Sequence, residues 1–194
     1  MKRLLLVLSL LTLGLISCSS CAKKDTTAPP VCEGGSCPLT PPTAVPDASV
    51  TPPTPPPPAD QVVTGTGYQV TIPAGWVKMD PPQETKGLEA LFLNKDKHSL
   101  IILIKEPFTG TSAEYTLEAL RGLKGAGATL NSAKQVDING NKFVLIDSNK
   151  DGVRMWMWVT VQNGSGLALS CGGPAAEDWH QGICTTVASS LKLQ

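Results

Sequence analysis

Arg154-Met-Trp-Met-Trp158 is the segment whose residue types could do the most. Thioethers beside an indole are soft enough to hold Cu(I). Arginine among tryptophans is the composition of an interface anchor. Side chains alternate along a strand. Met155 and Met157 would then share a face with Val153 and Val159, and Trp156 and Trp158 with Arg154 and Thr160. A strand with one face in a core and the other under a helix explains the same residues, and the pattern favours this. A partner surface at Arg154, Trp156 and Trp158 comes next, and copper last. His180 and Cys184, four apart on one helical face, are a conceivable metal pair. The better reading puts Cys184 in a disulfide and His180 at the surface or a boundary. His98 falls at a turn. No metal and no cofactor are expected. Gly164-Ser165-Gly166 lacks the spacing of a nucleophile elbow. Gly122, Gly125 and Gly127 close a helix, whereas a phosphate loop opens one. Glu114 and Glu118 are ordinary helix-surface acids. Cys21 lies in a tether without a base to activate it. No catalytic template is matched, so a non-catalytic role is expected. The alternative is an envelope enzyme, or a metal or small-ligand carrier, whose site is assembled only in three dimensions.

The N-terminus carries a different chemistry. Lys2 and Arg3 precede a short apolar run from Leu4 to Ile16. This is the layout of a secretory signal, too short for a comfortable membrane span. Leu15-Ile16-Ser17-Cys18 resembles a bacterial lipobox, with an apolar residue three before the cysteine and a small one just before it. The resemblance implies cleavage after residue 17 and acylation of Cys18. Several chains would anchor the protein stably, at roughly 0.8 kcal/mol per buried methylene. Ser19, where an Asp would favour inner-membrane retention, leans the expectation toward the outer membrane, facing the periplasm. An ordinary secreted protein cleaved near Ser20 is the competing reading. Export makes disulfides plausible. Cys171 and Cys184 lie in the folded part and are paired here. Cys32 and Cys37 flank Glu-Gly-Gly-Ser, which would let a small loop close. Cys21 is then left over, for an intermolecular bridge or a free thiol.

The 194 residues hold 16 Lys and Arg against 16 Asp and Glu. The same balance holds within 61–194, with 12 of each. Nothing in that balance calls for nucleic acid. Residues 29–58 contain 12 of the 17 prolines. That composition buries no core and favours extended polyproline II, a spacer of at most ~90 Å. A ligand for a proline-binding module, or a segment threaded through the cell wall, are the sharper readings. The chain divides into a signal over 1–17, an acylated start and tether over 18–60, and one domain over 61–194.

The elements that would position any site lie in that domain. Strands are expected over 68–72, 88–93 and 99–105. Leu100-Ile-Ile-Leu-Ile104 is continuously apolar, as in a strand buried on both faces. Thr111-Ser-Ala-Glu114 matches a capping box and opens a helix with Ala113, Leu117, Leu120 and Leu123 inward. Strands over 134–138, 142–147, 153–161 and 167–171 follow. Asn139-Gly140 is a hairpin signal. A closing helix over 175–191 presents Trp179, Ile183, Val187 and Leu191, with Pro174 suited to its first turn. Strands, helix, four-strand meander and helix argue for an α+β domain, an antiparallel sheet with packed helices.

Tyr68-x-Val-x-Ile-Pro-x-Gly-Trp76 resembles the opening of the PsbP-like domains, named for an extrinsic subunit of photosystem II. The later order and the closing Ser-Ser-Leu fit as well, over roughly 66–194. The resemblance implies an α/β/α sandwich and a binding or accessory role with a protein or cell-envelope partner. It brings no catalytic residues, and no photosynthetic partner is implied.

Overall fold

The computed structural model describes residues 59–80 and 86–194. The signal, Cys18, Cys21, Cys32, Cys37 and the proline-rich segment lie outside the described residues. Among the described residues ten strands and two helices follow in the order β1 (Gln61–Gly65), β2 (Tyr68–Ile72), β3 (Val77–Met79), β4 (Leu88–Asn94), β5 (Ser99–Pro107), α1 (Ser112–Gly125), β6 (Thr129–Ile138), β7 (Asn141–Lys150), β8 (Val153–Gln162), β9 (Ser165–Pro174), α2 (Trp179–Ser189) and β10 (Lys192–Leu193). Seven strands make one antiparallel sheet in the order β3-β4-β5-β9-β8-β7-β6. β1, β2 and β10 make a second, smaller sheet with β2 in the middle. The domain is α+β.

The turns explain why four ten-residue strands run back and forth without interruption. Asn139-Gly140, Asp151-Gly152 and Asn163-Gly164 each have positive φ at both residues, from 49° to 78°. Positive φ at both central positions defines the type I′ turn, whose twist matches the flanking strands. Asn, Asp and Gly are the residues that enter that region at least cost. Strand pairing therefore begins at once on either side, as in Ile138 with Asn141, Lys150 with Val153 and Gln162 with Ser165.

The large sheet carries a core on each face. On one face Phe92, Ile101, Leu103, Trp156, Trp158 and Leu169 pack with Tyr68, Val70 and Ile72 of the small sheet and with Val187, Ala188 and Leu191. On the other, Ile102, Ile104, Ile146, Met155, Met157 and Val159 pack under Tyr115, Ala119 and Leu123 of α1. β5 contributes Ile101 and Leu103 to one core and Ile102 and Ile104 to the other. Its unbroken apolar run is thus buried on both faces.

Several expectations are corrected. α1 does open at the Thr111–Glu114 capping box, but it turns Tyr115, Thr116, Ala119 and Leu123 inward, and Leu117 is exposed. The aromatic ring of Tyr115 sets this rotation. It lies over Gly166 and packs against Phe108 at a centroid distance of 4.9 Å. α2 starts at Trp179 rather than near residue 175, and Pro174 ends β9 instead of opening the helix. The cause is Gly172-Gly173, which prolongs pairing with β8. A Cβ at Gly172 would sit 2.3 Å from the Arg154 carbonyl oxygen, so only glycine permits this approach. β6 begins at Thr129, five residues before the sequence signal.

Candidate functional site

The Arg154–Trp158 segment lies in the first half of β8, beneath α2 on one face and α1 on the other. Trp156 and Trp158 are each only 5 % exposed, and Met155 and Met157 are equally enclosed. The indoles belong to the core shared with the small sheet, and the thioethers to the core under α1. Neither tryptophan is available to a partner in this fold, and the two methionines face away from the indoles. Only Arg154 reaches the surface. Its Nε and Nη2 donate to Asp147 Oδ1 and Oδ2 at 3.1 and 2.7 Å, a bidentate pair. Its guanidinium carbon lies 4.8 Å from the Trp156 ring centroid. Asn131 Nδ2 donates to Asp147 Oδ1 at 2.9 Å. Burial resists ionisation of Asp147, yet hydrogen bonds from Arg154 and Asn131, with the charges of Arg154 and Lys134, hold its carboxyl below the ordinary carboxylate value. The same hydrogen bond to Asp147 raises the pKa of Arg154. The cluster fastens β7 to β8 and to the bulged start of β6.

His180 is buried, not at the surface or a boundary as expected. Its Nε2 lies 3.0 Å from the Pro174 carbonyl oxygen and its Nδ1 3.5 Å from Ser99 Oγ. The Ser99 hydroxyl donates to the Lys97 carbonyl at 2.7 Å. A serine beside a histidine here is a structural contact, because Ser99 Oγ is itself buried and aimed at the backbone. Room for the imidazole comes from Gly173, where a Cβ would meet the ring at 2.7 Å. Cys184, one turn on, forms a disulfide with Cys171 of β9, Cα to Cα 5.5 Å. That bond turns the 180/184 face of α2 to the sheet, so His180 and Cys184 are buried beside Val187 and Leu191 of the expected stripe, while Trp179 and Ile183 are only partly buried. His98 lies in the β4–β5 turn with φ of 49°. Among the described residues no three His, Cys, Asp or Glu side chains converge as a metal set.

A cleft of about 230 Å³ lies where the β1–β2 turn approaches the β8–β9 turn. Thr66 and Gly67 form one wall, and Gln162, Asn163 and Ser165 another. Lys105 enters from β5, while Tyr68, Leu167 and Leu193 supply apolar surface. Lys105 Nζ donates to the Thr66 carbonyl. Gln162 Oε1 is buried and has no hydrogen-bond partner. Burial and the hydrogen bond to Glu89 push the Tyr68 phenol well above its ordinary pKa. That phenol donates to Glu89 Oε2 at 2.6 Å. Apart from Tyr68, which opens the Tyr68–Trp76 pattern, none of these residues stands out in the sequence. They come from four separated stretches of the chain, 66–68, 105, 162–167 and 193, and no single motif or periodicity links them.

The likeness to known proteins is one of fold. The solution structure of the cyanobacterial PsbP protein of Synechocystis, CyanoP, superposes with a TM-score of 0.59 at 18 % identity, covering 70 % of this chain and 93 % of that one. The domain has the PsbP-like fold. A Bacteroides thetaiotaomicron protein gives a TM-score of 0.44 at 17 % identity, over 71 % of this chain and 48 % of that one. A Pseudomonas aeruginosa protein of unknown function, PA94, gives 0.45 at 13 % identity, over 70 % and 98 %. No protein-family model and no curated protein matches the sequence. The PsbP-like domain of this chain thus has its architecture in common with CyanoP, at an identity too low to carry a role across.

Proposed function

We propose that this chain is a cell-envelope lipoprotein, acylated at Cys18 and held at the outer membrane facing the periplasm. Its PsbP-like domain acts as a non-catalytic binding or accessory module for a protein or cell-envelope component, carried on a proline-rich tether. The observation that carries the domain's part of this reading is how its reactive groups are used. His180 is enclosed between Pro174 and Ser99, Cys171 and Cys184 are joined, and Asp147 is held by Arg154 and Asn131. Glu114 is engaged by its capping box. The first three groups fasten one element to another, and Glu114 closes the start of its own helix. The lipobox, Leu15 to Cys18, supports the anchoring.

Metabolic labelling with an alkyne fatty acid tests the anchor. The wild-type chain is expected to take up label on the peptide beginning at Cys18 and to pellet with membranes. Cys18→Ala is expected to lose both. An unlabelled wild-type chain would remove the lipoprotein reading. Cross-linking in intact cells, followed by mass spectrometry, tests the accessory role. A single stoichiometric envelope partner is the expected result. A second reading, a small-ligand carrier, has the cleft at Lys105 and Gln162 in its favour.

A further inference from the structure

Two of the six asparagines in this chain precede glycine, Asn139 and Asn163. Both are exposed and open a two-residue turn, with φ of 52° and 50°. Such a pair is open to a spontaneous reaction, in which the glycine nitrogen attacks the asparagine amide carbon. Glycine has no Cβ to obstruct the approach. The peptide between the two residues must rotate to bring those atoms together. Whatever holds that peptide, or the side-chain amide, therefore slows the reaction. At Asn139 every participant is held. Its Nδ2 donates to the carbonyls of Ser189 and Leu191 at 2.9 and 2.8 Å. Its own carbonyl accepts from Asn141 Nδ2 at 3.2 Å. Gly140 N, the attacking atom, donates to Asp137 Oδ1 at 2.8 Å. At Asn163 the side-chain amide, the carbonyl and Gly164 N have no hydrogen-bond partner among the described residues. The Gly164 carbonyl accepts from Phe108 N at 2.9 Å, which leaves the Asn163–Gly164 peptide itself untethered.

We propose that Asn163 is a site of spontaneous covalent modification, and that hydrogen bonding protects Asn139 from the same reaction. Gly164 N attacks Asn163 Cγ and forms the new C–N bond of a succinimide. The Cγ–Nδ2 bond breaks, and ammonia leaves with the proton given up by Gly164 N. Water then opens the ring at either carbonyl, and no oxidant or reductant is involved. Opening at the backbone carbonyl gives isoaspartate at position 163, and opening at the side-chain carbonyl gives aspartate. Either product adds a negative charge to the wall of the cleft that Asn163 lines. Isoaspartate also routes the backbone through the side-chain carbon. That lengthens by one methylene a turn whose two residues set the pairing of Gln162 with Ser165. The β8–β9 turn is thus the part of this domain that changes with age, and the β6–β7 turn is the part that keeps.

The test incubates the full-length protein, purified in detergent, at mildly alkaline pH and follows both sites by peptide mass spectrometry. Tryptic cleavage after Lys134 and Lys142 releases Asn139, and cleavage after Arg154 and Lys192 releases Asn163. Electron-transfer fragmentation tells isoaspartate from aspartate. Conversion at Asn163 is expected to outrun that at Asn139 by about tenfold or more, the scale of one to two net hydrogen bonds broken on opening the turn. Both products are expected at position 163, and in heavy-oxygen water each new carboxyl should carry the label. Unfolding in urea is expected to bring the two rates together, since both sites are then bare Asn-Gly pairs. Asp137→Ala, which releases Gly140 N, is expected to speed conversion at Asn139 and to leave Asn163 unaltered. The comparison within the wild-type chain stands by itself if that variant fails to fold. Equal rates in the folded chain, faster conversion at Asn139, or a lack of isoaspartate at position 163 would overturn the proposal. So would a rate difference that persists in urea, or an Asn139 rate unmoved in folded Asp137→Ala.

Discussion

His180 ties the closing helix to the sheet as a neutral base. Burial lowers its pKa below the ordinary 6.5, against the upward pull of the Pro174 carbonyl and Glu177. The unfolded chain accepts a proton near that ordinary value and the folded one resists it, so protons favour unfolding. The contribution of His180 is complete above about pH 6.5 and is lost as pH falls from there through the folded value. Urea midpoints measured at pH 7.5 and 5.5 are expected to differ in the wild type and to converge in His180→Gln. Asp147 acts in a separate window. Its lowered pKa gives stability that is present above 3.8 and lost below it. Asp147→Ala leaves Arg154 without its bidentate partner and is expected to cost about 1–3 kcal/mol in denaturant unfolding. At this scale the sequence was an uneven guide. Alternation along β8 put the methionines and tryptophans on opposite faces, as found. Alternation is silent on what covers each face, and here α1 and α2 cover both. The buried state of His180 depends on the missing Cβ of Gly173, a negative signal that no polar pattern announces.

Among elements, the contact of α2 with β9 relies most on a covalent bond. Cys171 and Cys184 are 13 residues apart, and closing a loop of that size contributes about 3 kcal/mol in the chain-entropy account. Cys171→Ala/Cys184→Ala is expected to lose about that much, read as a shift of the urea midpoint under oxidising conditions. In reducing agent the wild type should fall to the level of the variant. Gly164→Ala places a side chain at φ of 70° and is expected to cost about 1–2 kcal/mol while leaving the β8–β9 register intact. Elements with strong local signals were legible, namely the capped helix, the Asn-Gly hairpin and the apolar run of β5. β1, β3 and β10 were not. They have five, three and two residues, and Val62 and Val77 on them are exposed. Such strands exist because a neighbour pairs with them, β2 with β1 and β10, and β4 with β3, and a run of two to five residues is too short to show a period. α2 was drawn four residues too early for a related reason. Pairing of Gly172 to Pro174 with β8 overrode a proline that suits a helix start.

For the molecule as a whole, the order of elements was enough to give the α+β class, and the resemblance at Tyr68–Trp76 led to the PsbP-like architecture. The cleft was invisible because its walls meet only after both sheets have formed. That assembly has an order of its own. β6 to β9 are contiguous and joined by two-residue turns, so each pairs with a neighbour that is already close. β5, by contrast, pairs with β9 across α1 and three intervening strands. Long loops cost more entropy to close and delay folding. Ile146→Val, in the meander, is expected to slow folding, while Ile101→Val, in β5, should chiefly speed unfolding. Stopped-flow measurements would separate the two. During synthesis β5 emerges well before β9. Leu100 to Ile104, an apolar strand meant for two cores, then has neither of them. Until the meander arrives it is a sticky segment in search of an edge, and a holding chaperone would find its clearest client surface there.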